Sequence, residues 1–394
     1  MYDVIVIGGG AAGLFAALRA QTIAPTAKVA LLEKSGVLLA KVRISGGGRC
    51  NVTHHCFDPG KLMQNYPRGG HELMGAFHRF QPQDTIEWFE ARGVALKTEA
   101  DGRVFPITDS SETIINILLD EAKKLNLEIY MRQRIEKIKK TDRGFQVGPY
   151  VTRTLILATG NGRDGHSWAT QLGHAIQTPV PSLFTLNIPT SPLKGLSGIS
   201  HNPVELSIPG TSLVQRGSLL ITHFGFSGPA ALKLSAWGAR TLYEHGYAIP
   251  LAINWLPDTT ISQIFETLLQ CKKTVPHRTL LSENPFKLSR NLWKTLLNDE
   301  RRLNDIPQKH LQILAQKLHA DMYQVNGKTT HKEEFVTCGG VTRKEVQFTT
   351  MESKICPGLY FAGEILDIDG VTGGFNFQAA WTTGFIAGTS AAER

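Results

Sequence analysis

Short, mainly apolar runs that end in, or are followed by, a glycine or an acidic residue recur along this chain. The runs are Val4–Ile7, Lys28–Leu32, Thr154–Gly160 and Gly358–Glu364. A run that is apolar throughout is expected of a strand buried on both faces, as in a parallel sheet. An apolar helix, Leu14–Ala20, lies between the first two, and a helix from about Asn376 to Ala387 follows the last. The pattern predicts an α/β fold.

Composition places the chain among globular proteins. Of its 394 residues, 42% are hydrophobic and 19% are charged, and the formal net charge is +8. A positive charge favours anionic ligands in general. The densest basic run, Lys137–Lys140, is interpreted as a solvated helix or strand end, so a nucleic-acid partner is not expected.

Cysteine usage and the start of the chain bear on the compartment. The five cysteines form no C-x-x-C pair, which favours free thiols in a reducing compartment, and no metal site is predicted. The chain enters a strand at Tyr2, and the apolar stretch Val4–Leu18 is too short to span a bilayer. A cytoplasmic protein without a membrane partner is expected.

The first strand leads directly into a glycine-rich turn. Gly8, Gly10 and Gly13 make G-x-G-x-x-G between the strand and the helix, and Glu33 lies twenty residues further on. The glycines allow a tight turn, close approach of a pyrophosphate and close helix packing, while an acid at that distance can bind ribose hydroxyls. A dinucleotide is predicted, either FAD or NAD. The acid argues against NADP.

Two further glycine-rich segments bear on the choice between FAD and NAD. Ser45–Asn51 contains three successive glycines beside Lys41 and Arg43, and could either line a ligand or be a flexible surface loop. Gly160, Gly162 and Gly165 repeat the G-x-G-x-x-G spacing, but no acidic residue follows at the required distance. A separate NAD site is therefore not predicted there.

These segments, taken together with others, resemble a known family. The glycine turn with Glu33, Ala158-Thr159-Gly160 and Gly363-Glu364 look like the signatures of two-dinucleotide-binding-domain flavoproteins. A narrower resemblance is to the bacterial BaiN-like (YhiN-like) flavoproteins, some of them named aminoacetone oxidase-like. It rests on Ser45–Asn51, Thr222–Ala230, Thr337–Val341, Met351–Lys354 and Gly373–Gln378.

The resemblance implies an FAD cofactor and a set of residues that bind it. Gly8–Gly13 should hold the pyrophosphate, Glu33 the adenosine ribose and the backbone of Ile135 the adenine, while the last helix should point its positive end at the flavin. The implied cofactor-binding residues are Gly8, Gly10, Ala11, Ala12, Gly13, Glu33, Lys34, Lys41, Ser45, Gly46, Gly47, Gly48, Arg49, Cys50, Asn51, Ile135, Ala158, Thr159, Gly160, Gly363, Glu364, Gly374, Asn376 and Phe377.

The resemblance also implies a Rossmann-like FAD-binding domain of three layers (ββα) built from both ends of the chain. Residues 1–190 and 335–394 would form it, residues 191–258 a β-barrel-like insert, and residues 259–334 a helical insert. The sequence agrees, with β-like runs at Pro203–Ile208 and Ser218–Thr222, and helical spacing at Ile264, Leu268 and Leu269 and at Leu292, Leu296 and Leu297.

The catalytic groups are less defined than the cofactor site. The acid or base candidates are His54, His55, Tyr66 and His223, and His223 is favoured because it lies in a family-like motif. Cys50 and Cys56 are similar to the redox pair of disulfide reductases, but five residues separate them where that family has four.

The predicted function is that of an FAD-dependent oxidoreductase acting on a small molecule, with NAD(P)H bound transiently in the same cleft. Two alternatives stay open, an amine oxidase that uses dioxygen and an RNA-associated flavoprotein. The second is suggested only by the positive charge.

Overall fold

The first apolar run forms strand β1 (Tyr2–Ile7) in the computed structural model, which describes residues 1–329 and 336–394. The elements that follow it up to residue 182 are α1 (Ala11–Ile23), β2 (Val29–Leu32), α2 (Ala40–Gly48), β3 (Thr53–His54), α3 (Pro59–Met63), α4 (Gly70–Phe77), α5 (Pro82–Glu90), β4 (Leu96–Thr98), β5 (Arg103–Pro106), α6 (Ser111–Lys124), β6 (Glu128–Tyr130), β7 (Ile138–Thr141), β8 (Gly144–Val147), β9 (Tyr150–Leu157), α7 (Arg163–Gln171) and β10 (Ile176–Ser182).

The middle of the chain contains β11 (Thr185–Asn187), β12 (Ser200–Ser207), β13 (Val214–Ile221), β14 (Gly225–Ser227), α8 (Gly228–Trp237), α9 (Ala239–Glu244), β15 (Ala248–Asn254), α10 (Ile261–Thr274), α11 (Leu280–Glu283), α12 (Arg290–Leu297), α13 (Gln308–His319), β16 (Asp321–Asn326) and β17 (Lys328–Thr329). The last part contains β18 (Val336–Val341), β19 (Val346–Gln347), β20 (Glu352–Ser353), β21 (Leu359–Phe361) and α14 (Phe375–Glu393).

The chain divides into two units, one made of residues 1–181 and 332–394 and the other of residues 182–331. The domain boundaries expected from the sequence stay predictions, and the boundary at 334/335 lies outside the described residues. Within the described ranges, no helix has both the length and the apolar character needed to cross a membrane.

A parallel layer organises the first unit. Its strands run in the order β21-β9-β1-β2-β6, and each neighbouring pair is parallel. Ile7 of β1 lies opposite both Leu32 of β2 and Leu157 of β9, and Leu157 also lies opposite Phe361 of β21. The register brings the carboxyl ends of these four strands to one edge of the sheet.

Helices α1 and α14 pack against each other through small residues. Gly384 and Gly388 of α14 face the backbone of α1, and a Cβ on either glycine would overlap the carbonyl oxygen of Ala12 or Ala16. Helix α14 extends beyond the predicted end at Ala387 and reaches Glu393. Because the two helices come from opposite ends of the chain, this packing joins the termini into one unit.

The second unit combines a sheet with helices. Its seven strands are antiparallel in the order β16-β15-β12-β13-β14-β11-β17. Trp255 and Trp293 are fully buried in a core that the sheet shares with helices α8 and α10–α13. The predicted fold class, a Rossmann-like domain with a β-rich and helical insert, is confirmed.

The second G-x-G-x-x-G segment does not begin another nucleotide-binding fold in the described part of the chain. It connects β9 to α7, but the next strand, β10, is outside the parallel sheet and pairs with β18. Gly165 instead allows α7 to lie close to the segment that follows β9, because a Cβ there would overlap the Thr159 hydroxyl.

The packing of α14 on α1 generates a first prediction. Gly388→Ala is expected to lower the free energy of unfolding by about 1–3 kcal/mol, because the added methyl group meets backbone rather than a side chain that can move. Chemical denaturation followed by circular dichroism measures the change.

Gly75→Ala is the matched control. Gly75 lies in the exposed part of α4, and its Cβ would meet no heavy atom of the described residues within 4 Å. This variant should be neutral or more stable by up to about 1 kcal/mol, since alanine is the better helix former. Equal stability losses in the two variants would contradict the close packing of the termini.

Candidate functional site

The segments that follow β1, β2, β9 and β21 meet at the carboxyl edge of the parallel sheet. They are Gly8–Gly10, Glu33, Ala158–Gly160 and Ala362–Glu364. In open α/β sheets, ligands bind in the crevice beyond this edge. The structure thus brings together sequence signatures that are separated by up to about 350 residues, as expected of a parallel sheet.

The three glycines of the first turn have different surroundings. Gly8 has a φ of +112° and lies against the Ala158 carbonyl, and Gly13 lies against the Gly8 carbonyl, so neither has space for a side chain. Gly10 differs, because no heavy atom of the described residues lies within 4 Å of its would-be Cβ. The open side of Gly10 is suited to a ligand that approaches the backbone.

Glu33 is held at the end of β2 by two backbone groups. Its carboxylate accepts hydrogen bonds from the amides of Gly9 and Ser35, both at 2.7 Å. A carboxylate has about four acceptor positions, so capacity remains for ribose hydroxyls. The backbone carbonyl of Glu33 accepts from the Gln133 amide, which places the segment before Ile135 beside it. Lys34 points elsewhere, since its ammonium pairs with Asp164 at 3.4 Å on the surface.

Two helix N-termini are candidates for this site. Helix α1 begins after Gly10 and α14 begins after Gly374. Within the described residues neither has a side-chain cap or an acidic residue in its first turn. The first amides of a helix have no partner inside the helix, and its N-terminus has a partial positive charge, so both ends suit anionic or electron-rich groups of a ligand.

The Ser45–Asn51 segment is the irregular end of α2. Gly46, Gly47 and Gly48 all have positive φ, and a Cβ on Gly47 or Gly48 would meet nothing within 4 Å in the described chain. This segment therefore also presents open backbone. Arg49 is engaged by protein groups, because it donates to Glu99 at 2.7 Å and lies over the Phe105 ring.

Asn51 connects this segment to the last helix. With its amide oriented to suit its neighbours, the side chain accepts from the Gly374 amide and donates to the Thr53 carbonyl, both at 2.9 Å. Next to it, Cys50 is completely buried, and burial raises the pKa of its thiol to about 12. Cys50 and Cys56 are free thiols, and burial also raises the pKa of Cys56, which argues against a reactive thiolate at either.

Glu364 contacts both Lys41, another predicted site residue, and strand β18. Its carboxylate pairs with Lys41 at 2.5 Å and accepts from the Thr337 amide at 3.1 Å. Asn376 and Phe377, in contrast, use their side chains within the protein. The Asn376 amide exchanges two 2.9 Å hydrogen bonds with the backbone of Gly370, and the Phe377 ring stacks on Trp381. Only their backbone amides are thus offered to a ligand.

Several residues that the sequence analysis did not assign to the cofactor site hold α14 in place. The Tyr66 hydroxyl donates to the Phe375 carbonyl at 2.6 Å. Gln378 is fully buried and accepts from the hydroxyls of Thr53 and Thr85 at 2.6 and 2.9 Å. The signal available in the sequence was a glutamine placed between the apolar residues Phe377 and Ala379 of this helix.

A buried ion pair fixes the loop that precedes α14. Arg68 binds the fully buried carboxylate of Asp369 through two guanidinium nitrogens. Such two-point contacts are strong and directional, and removing one partner from a buried pair is costly. The pair therefore determines where the chain enters the last helix.

The four acid or base candidates are in different environments. The Tyr66 hydroxyl is buried, which raises its pKa well above the usual value, so it remains protonated. His54 stacks on Phe375 and bonds the Gly373 carbonyl at 3.0 Å, while burial lowers its pKa. His55 is exposed beside Phe57, and His223 is exposed on a turn of the second unit. The catalytic role of His223 stays a prediction.

The donor set fits a dinucleotide. The site offers open backbone at Gly10, Gly47 and Gly48, two uncapped helix ends and a fixed carboxylate at Glu33. Among residues 1–329 and 336–394, no group of three His, Cys, Asp or Glu side chains could hold a metal ion. The groups present would bind phosphates, ribose hydroxyls and a polar ring edge.

Comparison with known proteins decides the family. The family model described as "HI0933-like protein Rossmann domain" matches residues 2–390. This chain belongs to the HI0933-like family. Family membership confirms the resemblance to BaiN-like and YhiN-like flavoproteins, and this member of the HI0933-like family is an FAD-dependent oxidoreductase.

Curated relatives of this HI0933-like protein match along its whole length. A ribosomal RNA dihydrouridine synthase of Escherichia coli K12 is 32% identical over 407 residues, which cover 97% of this chain and 96% of the relative. A 3-dehydro-bile acid delta(4,6)-reductase of Clostridium scindens is 28% identical over 413 residues, with full coverage of both chains. A ribosomal RNA dihydrouridine synthase of Haemophilus influenzae is 29% identical over 409 residues, covering 98% and 97%.

Solved structures confirm the fold. A 3-ketosteroid-delta4-(5alpha)-dehydrogenase of Rhodococcus jostii superposes with a TM-score of 0.52 at 15% identity, covering 100% of this chain and 97% of the other. A flavocytochrome c3 fumarate reductase gives 0.51 at 18% identity and covers 100% and 78%. The residues predicted to bind FAD remain predictions, now with a defined geometry.

Gly10 provides the sharpest test of the cofactor site. Gly10→Ala should weaken FAD binding by about 10-fold to 100-fold, because the methyl group would hold a phosphate away from amides whose charge-assisted bonds contribute roughly 1.5–3 kcal/mol. The apoprotein should keep its melting temperature, since Gly10 has a φ of −83° that alanine accepts and its Cβ meets no described atom within 4 Å. Titration of the apoprotein with FAD measures the affinity.

Gly13→Ala is the contrasting variant. Its Cβ would overlap the Gly8 carbonyl oxygen, so the apoprotein itself should be destabilised. Undiminished FAD affinity in Gly10→Ala would refute the assignment of this turn to the pyrophosphate.

Proposed function

We propose that this flavoenzyme reduces the ring double bond of a uracil base in ribosomal RNA, with NADH or NADPH as the electron donor. The balanced reaction is uridine plus NAD(P)H plus one proton giving dihydrouridine plus NAD(P)⁺. Bound FAD supplies the hydride transfer. The protein must bind the RNA, exclude competing acceptors and hold the base in place.

The names of the relatives support reduction of a conjugated double bond. Two relatives are named for dihydrouridine synthesis in ribosomal RNA, and one for reduction of a 3-dehydro-bile acid at delta(4,6). Dihydrouridine differs from uridine by two hydrogens across a double bond conjugated with a carbonyl. A double bond conjugated with the 3-keto group of a steroid presents the same chemistry, so one kind of acceptor accounts for both names.

The distribution of charge between the two units supports RNA as the substrate. The second unit contains 15 Lys and Arg against nine Asp and Glu, whereas the first unit contains 27 against 25. Six of the eight net positive charges thus belong to the second unit. An excess of this kind attracts a polyanion and favours phosphate contacts.

Many of these cations are free to meet phosphates. Residues 261–320 alone contain ten Lys and Arg against five Asp and Glu. Within the described chain, five exposed cations of this stretch have no acidic partner: Lys273, Lys287, Arg290, Arg302 and Lys309. Arg290 also begins α12, where a positive charge opposes the helix dipole, so its position does not serve helix stability.

A small unsaturated ketone is the second candidate acceptor. It is favoured by the bile-acid reductase, which covers the whole chain at 28% identity. Such a substrate would give the basic surface of the second unit no part in substrate binding. The two candidates are separated by which acceptor is turned over.

The electron donor can be tested directly. We expect anaerobic mixing with NADH or NADPH to bleach the absorption band of the oxidised flavin, because a reductase must be loaded with electrons before it meets its acceptor. Stopped-flow absorbance records the reaction. Absence of bleaching, together with oxygen consumption in the presence of amines, would favour an amine oxidase instead.

The acceptor can be tested with RNA that contains no modified bases. Ribosomal RNA transcribed in vitro, incubated with the enzyme and NAD(P)H, should acquire dihydrouridine, detected by mass spectrometry of the digested nucleosides. Enzyme without NAD(P)H is the control. Turnover of a conjugated steroid ketone with none of the RNA would replace the main proposal by the second candidate.

A further inference from the structure

A single turn of the second unit displays a large aromatic side chain to solvent. Phe224 is 62% exposed and lies between β13 and β14 beside the exposed His223. Among the large hydrophobic side chains of the described residues, only Met1, at the chain start, is more exposed, at 67%. Its ring is therefore accessible to a partner, and the fixed backbone that carries it, described next, distinguishes it from other exposed apolar residues.

The turn is braced from within. The Thr222 amide donates to the Gly225 carbonyl at 2.8 Å, and the Thr222 hydroxyl accepts from the amides of Phe224 and Gly225 at 3.3 and 3.1 Å. The backbone of residues 222–225 is therefore fixed by its own hydrogen bonds rather than left as a flexible loop.

The turn is also anchored to the neighbouring strand. The Ile188 amide donates to the Phe224 carbonyl at 2.8 Å, and Gly225 lies opposite Asn187 of β11. Gly225 has a φ of +152°, and a Cβ there would overlap the Leu186 carbonyl. The local sequence thus fixes the backbone that carries the exposed ring, which reduces the entropy that is lost when a partner binds.

The surroundings of the ring suit a polyanion. Between Ser182 and Tyr243 the chain contains one acidic residue, Glu205, against four cations, Lys194, Arg216, Lys233 and Arg240. None of the strands β11, β13, β14 and β17 contains a carboxylate, and β17 contributes Lys328, whereas Arg216 of β13 is paired with Asp258 at 2.6 Å. An apolar protein surface would not need this excess of positive charge.

We propose that Phe224 stacks on an unpaired base of the ribosomal RNA substrate. Single-stranded RNA is recognised mainly by stacking of splayed bases on aromatic side chains, next to cations that follow the phosphates. His223, on the same turn, adds a hydrogen-bond donor for a base edge or a phosphate. This inference rests on the proposed function and identifies the part of the second unit that holds the RNA.

The experiment compares variants of the FAD-loaded enzyme in binding an unmodified ribosomal RNA fragment, followed by fluorescence anisotropy at one salt concentration. Phe224→Ala should weaken binding by about 5-fold to 100-fold, the usual effect of losing one stacked base. Phe224→Trp should retain wild-type affinity, since it offers a larger stacking surface. Neither change should alter the melting temperature or the bleaching by NAD(P)H.

Trp237→Ala is the matched control. Trp237 is also an exposed aromatic of the second unit, at 40%, but it lies at the end of helix α8 without the braced turn. Its loss should leave RNA affinity unchanged. Equal losses in Phe224→Ala and Trp237→Ala would overturn the special role of the turn.

The outcomes separate this inference from the proposed function. If the wild-type enzyme forms dihydrouridine and Phe224→Ala binds RNA equally well, the stacking role is wrong and the function stands. If the wild-type enzyme neither binds nor modifies the RNA, the proposed function fails and this inference fails with it. A selective loss in Phe224→Ala, retained by Phe224→Trp, supports both.

Discussion

The close packing of α1 on α14 is the constraint on which the rest of the first unit depends. The two helices meet where Gly384 and Gly388 allow the backbone of one to touch the backbone of the other. Their N-termini, after Gly10 and Gly374, belong to one site although they are about 360 residues apart in the chain. A larger side chain at the contact would separate the two ends that must act on one ligand.

The residues around this contact keep the second helix end in place rather than contact the ligand themselves. Asn51 bonds the Gly374 amide, Tyr66 bonds the Phe375 carbonyl, and Arg68 holds Asp369 in the preceding loop. Buried polar groups that are fully paired make a structure rigid and specific. These contacts fix the start of α14 while using only the Gly374 amide, so the amides of residues 375–377 remain available to a ligand.

The sequence predicted those parts of the site that depend on short spacing. Gly8–Gly13 and Glu33 could be predicted because a strand, a turn, a helix and a second strand follow one another directly in the sequence. The segments at Ala158 and Gly363 could be predicted because each directly follows a short apolar strand. The polar contacts could not be predicted, because Tyr66 and Phe375 are 309 positions apart and Arg68 and Asp369 are 301 apart. The small strands β3–β5 and β7–β8 were missed because they are short and partly polar.

RNA was not expected from the sequence because the cations of the protein are scattered along the second unit rather than clustered in one run.

The central claim is that both ends of the chain bind one FAD molecule. Hydrogen exchange of the apoprotein with and without FAD tests it most directly, because the backbone amides are the proposed ligand-binding groups. Slower exchange on FAD binding is expected in residues 10–13 and in residues 375–377 together, at the same FAD concentration. Protection confined to the first segment, with residues 375–377 unchanged, would contradict the claim.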